Sequence, residues 1–165
     1  MVDDIDNPVV DQAVVPGAAW ETVLGLLGGF RTAVDGAHTL LAARGHPDIR
    51  PSYGFALQAV GAGATASEIG SRLGVSKQAA AKTVAALERQ GYVARSVDPA
   101  DARRRTIVPT TRGLDLLTES ARAFEEVLAG WRERAGAKAV DDLARGLAVL
   151  DLPSAARLDL GTWSG

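Results

Sequence analysis

A mainly α-helical chain with one small β-hairpin is what the sequence predicts, and three observations carry that prediction. Apolar residues recur at steps of three and four in long stretches towards both ends of the chain. In the middle, a helix cap at Thr65, a turn at Gly74 and a second cap at Ser76 follow one another closely. Just beyond, Asp101 to Gly113 sets three consecutive arginines, Arg103, Arg104 and Arg105, between short β-compatible runs. Together these are the parts of a winged helix-turn-helix domain with N- and C-terminal helices suited to dimerisation.

Composition narrows the function classes. The chain has 165 residues, 47% hydrophobic and 23% charged, enough for one globular unit with a sizeable core. There is no cysteine, which excludes disulfides and thiolate metal sites, and only two histidines, His38 and His46, too few soft ligands for a zinc centre. No metal or cofactor is expected. The acidic start Met1-Val2-Asp3-Asp4-Ile5-Asp6 is unlike a secretory leader, and no apolar run is long enough to span a bilayer, so a cytoplasmic protein without a membrane partner is expected. The net charge of −2 is unevenly spread. Between Ser76 and Arg112 eight Lys or Arg stand against Glu88, Asp98 and Asp101, a balance of +5, whereas residues 1–35 carry a balance of −5. One concentrated basic segment is the footprint that phosphate recognition needs.

Taken in order, residues 1–17 read as a flexible N-terminal arm ending in Pro16-Gly17. Residues 18–46 read as a helix of the dimerisation region, with Trp20, Val23, Leu27, Phe30, Val34, Ala37 and Leu41 on one face. Its Gly25, Gly28, Gly29 and Gly36 each cost about 1 kcal/mol relative to alanine in a helix. Close helix approach, room beside the helix for a ligand, and simple tolerance by packing all account for them.

Residues 51–112 make up the winged domain. Pro51 suits a first helical position, and a short helix from about Ser52 to Val60 follows. Gly61-Ala62-Gly63-Ala64-Thr65-Ala66 matches a dinucleotide fingerprint by spelling alone, but that motif works only after a buried strand, and here the preceding segment reads as helix. Thr65-Ala66-Ser67-Glu68 is better read as a capping box opening a helix that stops at Gly74. A second helix starts at Ser76. Its face Ala80, Val84, Leu87 and Gly91 turns inward, leaving Gln78, Lys82, Ala86 and Arg89 to read DNA. Gln78 can pair bidentately with adenine, Lys82 can reach guanine or phosphate, Arg89 is expected to touch backbone, and Ser76 and Lys77 offer helix-start amides to a phosphate. Ala79, Ala81, Ala85 and Ala86 permit close approach. An arginine-tipped hairpin, in turn, is narrow enough for a minor groove.

Thr65 through Gly113 resembles the multiple-antibiotic-resistance regulator (MarR) family of winged-helix transcription factors. The resemblance is carried by Ser76-Lys77-Gln78 at the head of the second helix, Leu87-Glu88-Arg89-Gln90-Gly91-Tyr92-Val93 at its end, and Asp98-Pro99-Ala100-Asp101-Ala102-Arg103 in the wing. It implies that Asp101 and Arg103 fix the hairpin and that Arg104 or Arg105 enters the minor groove. Pro109 departs from the family pattern, and since proline cannot donate to a ladder the outgoing strand is expected to be short or unpaired there.

Residues 113–151 read as C-terminal dimerisation helices. Leu114, Leu117, Ala121, Phe124, Leu128 and Trp131 line one helix, and Val140, Leu143, Leu147 and Leu150 line a second whose first turn carries Asp141 and Asp142. The tail, 152–165, has no assignment. So many apolar stripes exceed what one small domain can bury, and the resemblance likewise implies an intertwined homodimer. It further implies a regulator, typically a repressor, that binds a pseudo-palindromic double-stranded operator and responds to a small aromatic or phenolic effector. Trp20, Phe30, His38, His46 and Tyr53 are candidates to contact such a molecule. No catalytic set is legible, so no enzyme is expected. A winged-helix protein-interaction module without DNA binding is the alternative.

Overall fold

The computed structural model describes residues 17–98 and 101–150, with the backbone path only for residues 98 and 101–104. The arm through residue 16 and the tail from residue 152 lie outside the described residues. Among the described residues six helices and one hairpin follow in order: α1 Ala18–Ala43, α2 Pro51–Val60, α3 Ala66–Leu73, α4 Lys77–Arg89, β1 Val93–Asp98, β2 Asp101–Pro109, α5 Thr111–Ala135 and α6 Ala137–Val149. The chain divides into two units, residues 1–31 and 32–165.

In the first unit, the described residues form the N-terminal half of α1. Trp20, Val23 and Leu27 are 55%, 56% and 44% exposed. In the second unit the stripe is covered: Val34, Ala37 and Leu41 are buried. Here α1 lies close to α5, with Val127 Cγ2 3.0 Å from where a β-carbon on Gly36 would stand. The Arg44 guanidinium reaches Glu119 (3.4 Å) and Glu126 on α5.

Local chemistry sets the boundaries of α2, α3 and α4. Pro51 opens α2 behind an extended Arg50 (φ −97°, ψ 153°). Thr65 and Glu68 form the full capping box on α3: Glu68 N–H donates to Thr65 Oγ1 (3.2 Å) and Thr65 N–H to Glu68 Oε2 (2.7 Å). Gly74 ends α3 in the left-handed region (φ 71°), and Ser76 Oγ accepts from Ala79 N–H (3.1 Å) to begin α4. The Gly61 to Ala66 stretch thus runs from a helix into a capped helix, and Ala64 forms an isolated bridge to Ile107. Leu57, Ile69, Ala80, Val84, Leu87, Ile107 and Leu116 meet in the core that α2, α3, α4, the hairpin and α5 share.

Two expectations are corrected. Strand β2 is neither short nor unpaired at Pro109, which stands opposite Val93 as its last residue. Thr110 N–H donates to Tyr92 O (3.0 Å), which makes Val93 and Pro109 a non-hydrogen-bonded pair; the missing N–H points away from β1, so no ladder bond is lost. Asp141 and Asp142 are not in the first turn of α6, which begins at Ala137. They serve as ion-pair partners instead, Asp141 for Arg132 at the end of α5 and Asp142 for Lys138 and Arg145.

Candidate nucleic-acid interface

Helix α4 is held by its apolar side and open on the other. Ala80, Val84 and Leu87 are buried against α2 and α3, while Ser76, Lys77, Gln78, Lys82 and Arg89 are exposed. Among the described residues no carboxylate pairs with Lys77, Lys82 or Arg89. The one acid near the end of the helix, Glu88, is engaged by Arg95 of β1, whose Nε lies 3.2 Å from both carboxylate oxygens. Ser76 caps Ala79, leaving the amides of Lys77 and Gln78 at the positive end of the helix. Ala79 and Ala81 are exposed, but Ala86 is 9% exposed and belongs to the buried side, contrary to its expected place on the reading face. A thirteen-residue helix wedged between two neighbours buries an arc wider than a single stripe.

In the wing, β1 and β2 pair antiparallel from Val93–Pro109 to Val97–Arg105, and then the register slips. Asp98 pairs with Asp101, which places Arg103 and Arg104 in the excess length of β2. Arg105, opposite Val97 in the regular ladder, is exposed. The side chains of Asp101, Arg103 and Arg104, and with them the expected Asp101–Arg103 brace, lie outside the described residues.

A cleft of about 460 Å³, counted out to solvent, opens in the second unit between α1, α2 and α5. Its walls include Val34, Leu41, Ile49, Phe55, Leu117 and Phe124, with His38, Gln58 and Ser120 as polar groups. Burial pushes the His38 imidazole below its ordinary pKa, and Asp35 only partly offsets this, so the cleft presents a neutral ring. Of the effector-contact candidates His38 lines this cleft, Tyr53 packs against the core, and His46 is enclosed. Trp20 and Phe30 stand on the N-terminal half of α1. Gln58 and Ser120 carried no sequence signal; only the meeting of α2 with α5 brings them together.

Sequence reasoning also missed a cluster around Tyr92, just after α4. Tyr92 and His46 are both 2% exposed, and the Tyr92 hydroxyl lies 3.0 Å from His46 Nδ1. The Arg112 guanidinium stands over the Tyr92 ring, 4.8 Å from its centroid.

The MarR family model matches residues 55–104. No curated protein matches the chain in sequence. Among solved structures, Streptococcus pneumoniae FabT in complex with DNA is similar at a TM-score of 0.66 and 17% identity, covering 80% of this chain and 94% of that one. Wild-type MarR from E. coli in its apo form gives 0.62 and 18%, covering 80% and 96%. MepR from S. aureus bound to ethidium bromide gives 0.56 and 22%, covering 78% and 92%. The chain thus has the winged helix-turn-helix fold of these structures, and residues 55–104 match the MarR family model.

Proposed function

We propose that this chain is a DNA-binding transcriptional regulator: a cytoplasmic homodimer that represses at a pseudo-palindromic operator and lets go when a small aromatic molecule binds. One observation carries the reading. The open side of α4 shows Gln78, Lys82 and Arg89 with no carboxylate paired to them among the described residues, behind a helix start with free amides and beside a wing with Arg105 exposed. Gln78 supplies direct base readout, while Lys77, Lys82, Arg89 and the wing arginines supply phosphate and groove contacts.

The dimer is supported by apolar side chains left open in a single chain, including Leu114, Phe124, Leu143 and Val149 besides those of α1. The effector is supported by the cleft between α1, α2 and α5, mostly apolar with three polar groups to orient a guest. Among the described residues no helix is long and apolar enough to cross a membrane. Selection of binding sites from random duplex DNA tests the proposal. It should return a two-fold symmetric motif; failure to enrich any sequence, with no duplex binding at low salt, would favour a protein-interaction module instead.

A further inference from the structure

Where α4 ends, four elements converge on one residue. Gly91 turns the chain (φ 76°), and Tyr92 N–H donates back to Leu87 O (2.9 Å). Tyr92 O accepts from Thr110 N–H (3.0 Å), and Thr110 Oγ1 donates to Gly91 O (2.6 Å) while accepting from Gly113 N–H (3.1 Å). The last turn of the reading helix, the roots of both wing strands and the first turn of α5 therefore share a single backbone node.

The Tyr92 side chain extends that node to the loop after α1. Its hydroxyl is 3.0 Å from His46 Nδ1 and 3.2 Å from Arg112 Nη2; His46 Nε2 is 3.2 Å from Asp115 Oδ2, and Arg112 Nη2 also donates to Gly45 O (2.9 Å). At the hydroxyl, proton inventory leaves one satisfied arrangement. Arginine only donates, so the hydroxyl oxygen accepts from Arg112 and its own hydrogen goes to His46 Nδ1. That nitrogen must then be bare, and the ring proton sits on Nε2, which stands 3.2 Å from Asp115 Oδ2 without hydrogen-bond alignment. The other tautomer would leave a hydroxyl hydrogen unmatched in a closed pocket, which is costly.

We propose that His46 and Tyr92, held by Arg112, are positioning residues for DNA recognition: they lock α4 and the wing, as one body, to α5 and the loop after α1. This rests on the DNA-binding reading. Two half-sites are read together only if each recognition helix keeps a fixed placement on its dimerisation helices, whereas binding to arbitrary duplex tolerates a loose one. Loosening the lock should therefore cost operator affinity and spare non-specific affinity.

The test uses the full chain with Tyr92→Phe, which removes the hydroxyl and keeps the ring beneath Arg112, and with His46→Phe, which removes the hydroxyl's acceptor. Affinity for the selected operator and for random duplex is measured at one salt concentration, with folding checked by circular dichroism. Each variant should lose about tenfold in the operator-to-random ratio, with random-duplex affinity changing by about twofold or less. An unchanged ratio, or both affinities falling together, overturns the proposal. Nitrogen chemical shifts offer a second readout, uncomplicated because the chain has only two histidines. They should show His46 protonated at Nε2 in the wild type and a mixture of tautomers in Tyr92→Phe. If the wild type binds no DNA, the functional reading fails while the tautomer measurement still decides whether the lock exists; an Nδ1-protonated wild type overturns it.

Discussion

A β-carbon on Gly113 would run into the carbonyl oxygen of Tyr92 and stand 3.4 Å from Leu57 Cδ1, because the first turn of α5 is seated directly on the end of α4. A single methyl must push apart the two elements that the Tyr92 node joins. Gly113→Ala should lower the unfolding free energy by about 3 kcal/mol. Gly130 on the same helix has nothing within 4 Å of its β-carbon position, so Gly130→Ala should stabilise by about 0.5–1 kcal/mol. Denaturant titration of both decides whether the contact or the helix is being measured. His38 gives a pH dependence of known sign. Its pKa is lowered from 6.5 by burial, so the fold holds the neutral ring. Its contribution to stability is complete above 6.5 and is lost as the pH falls through the lowered folded value. Thermal midpoints between neutral and mildly acid pH should therefore fall less in His38→Gln than in the wild type.

Among the elements, the short helices were legible because their boundaries are set by neighbours in sequence. Pro51, the Thr65–Glu68 box, Gly74 and Ser76 act within a turn of where they stand, and each does what its local chemistry dictates. Ala86 and the Asp141–Asp142 pair were misplaced because their surroundings depend on how helices meet, which periodicity does not encode. The His46–Tyr92–Arg112 cluster was illegible for the same reason: its partners are far apart in sequence and meet only after α5 docks on the turn following α4. Where α4 and the wing bind DNA, they should do so in different ways. Gln78→Ala should relax preference at one symmetric pair of base positions, worth about 1–3 kcal/mol, and leave random-duplex affinity nearly unaltered. Arg105→Ala should weaken binding to all sequences and reduce the salt slope by about one phosphate equivalent or less. Site selection with each variant separates the two.

At the scale of the whole molecule, the proposed dimer covers the apolar side chains that one chain leaves open. The unfolding midpoint should accordingly rise with protein concentration, and sedimentation at micromolar concentration should show a dimer; a monomer there contradicts the assembly. The basic segment from Ser76 to Arg112 would then occur twice, on two faces that meet one duplex, despite a net charge of −2 per chain. That concentration of charge is what the DNA-binding account depends on. The most direct measurement is the affinity for the selected duplex, by fluorescence anisotropy, across a series of salt concentrations. The account predicts a linear fall of log affinity against log salt with a slope of about −5, as for roughly six phosphate contacts shared by two protomers. A slope near zero, or no binding at the lowest salt, would contradict it.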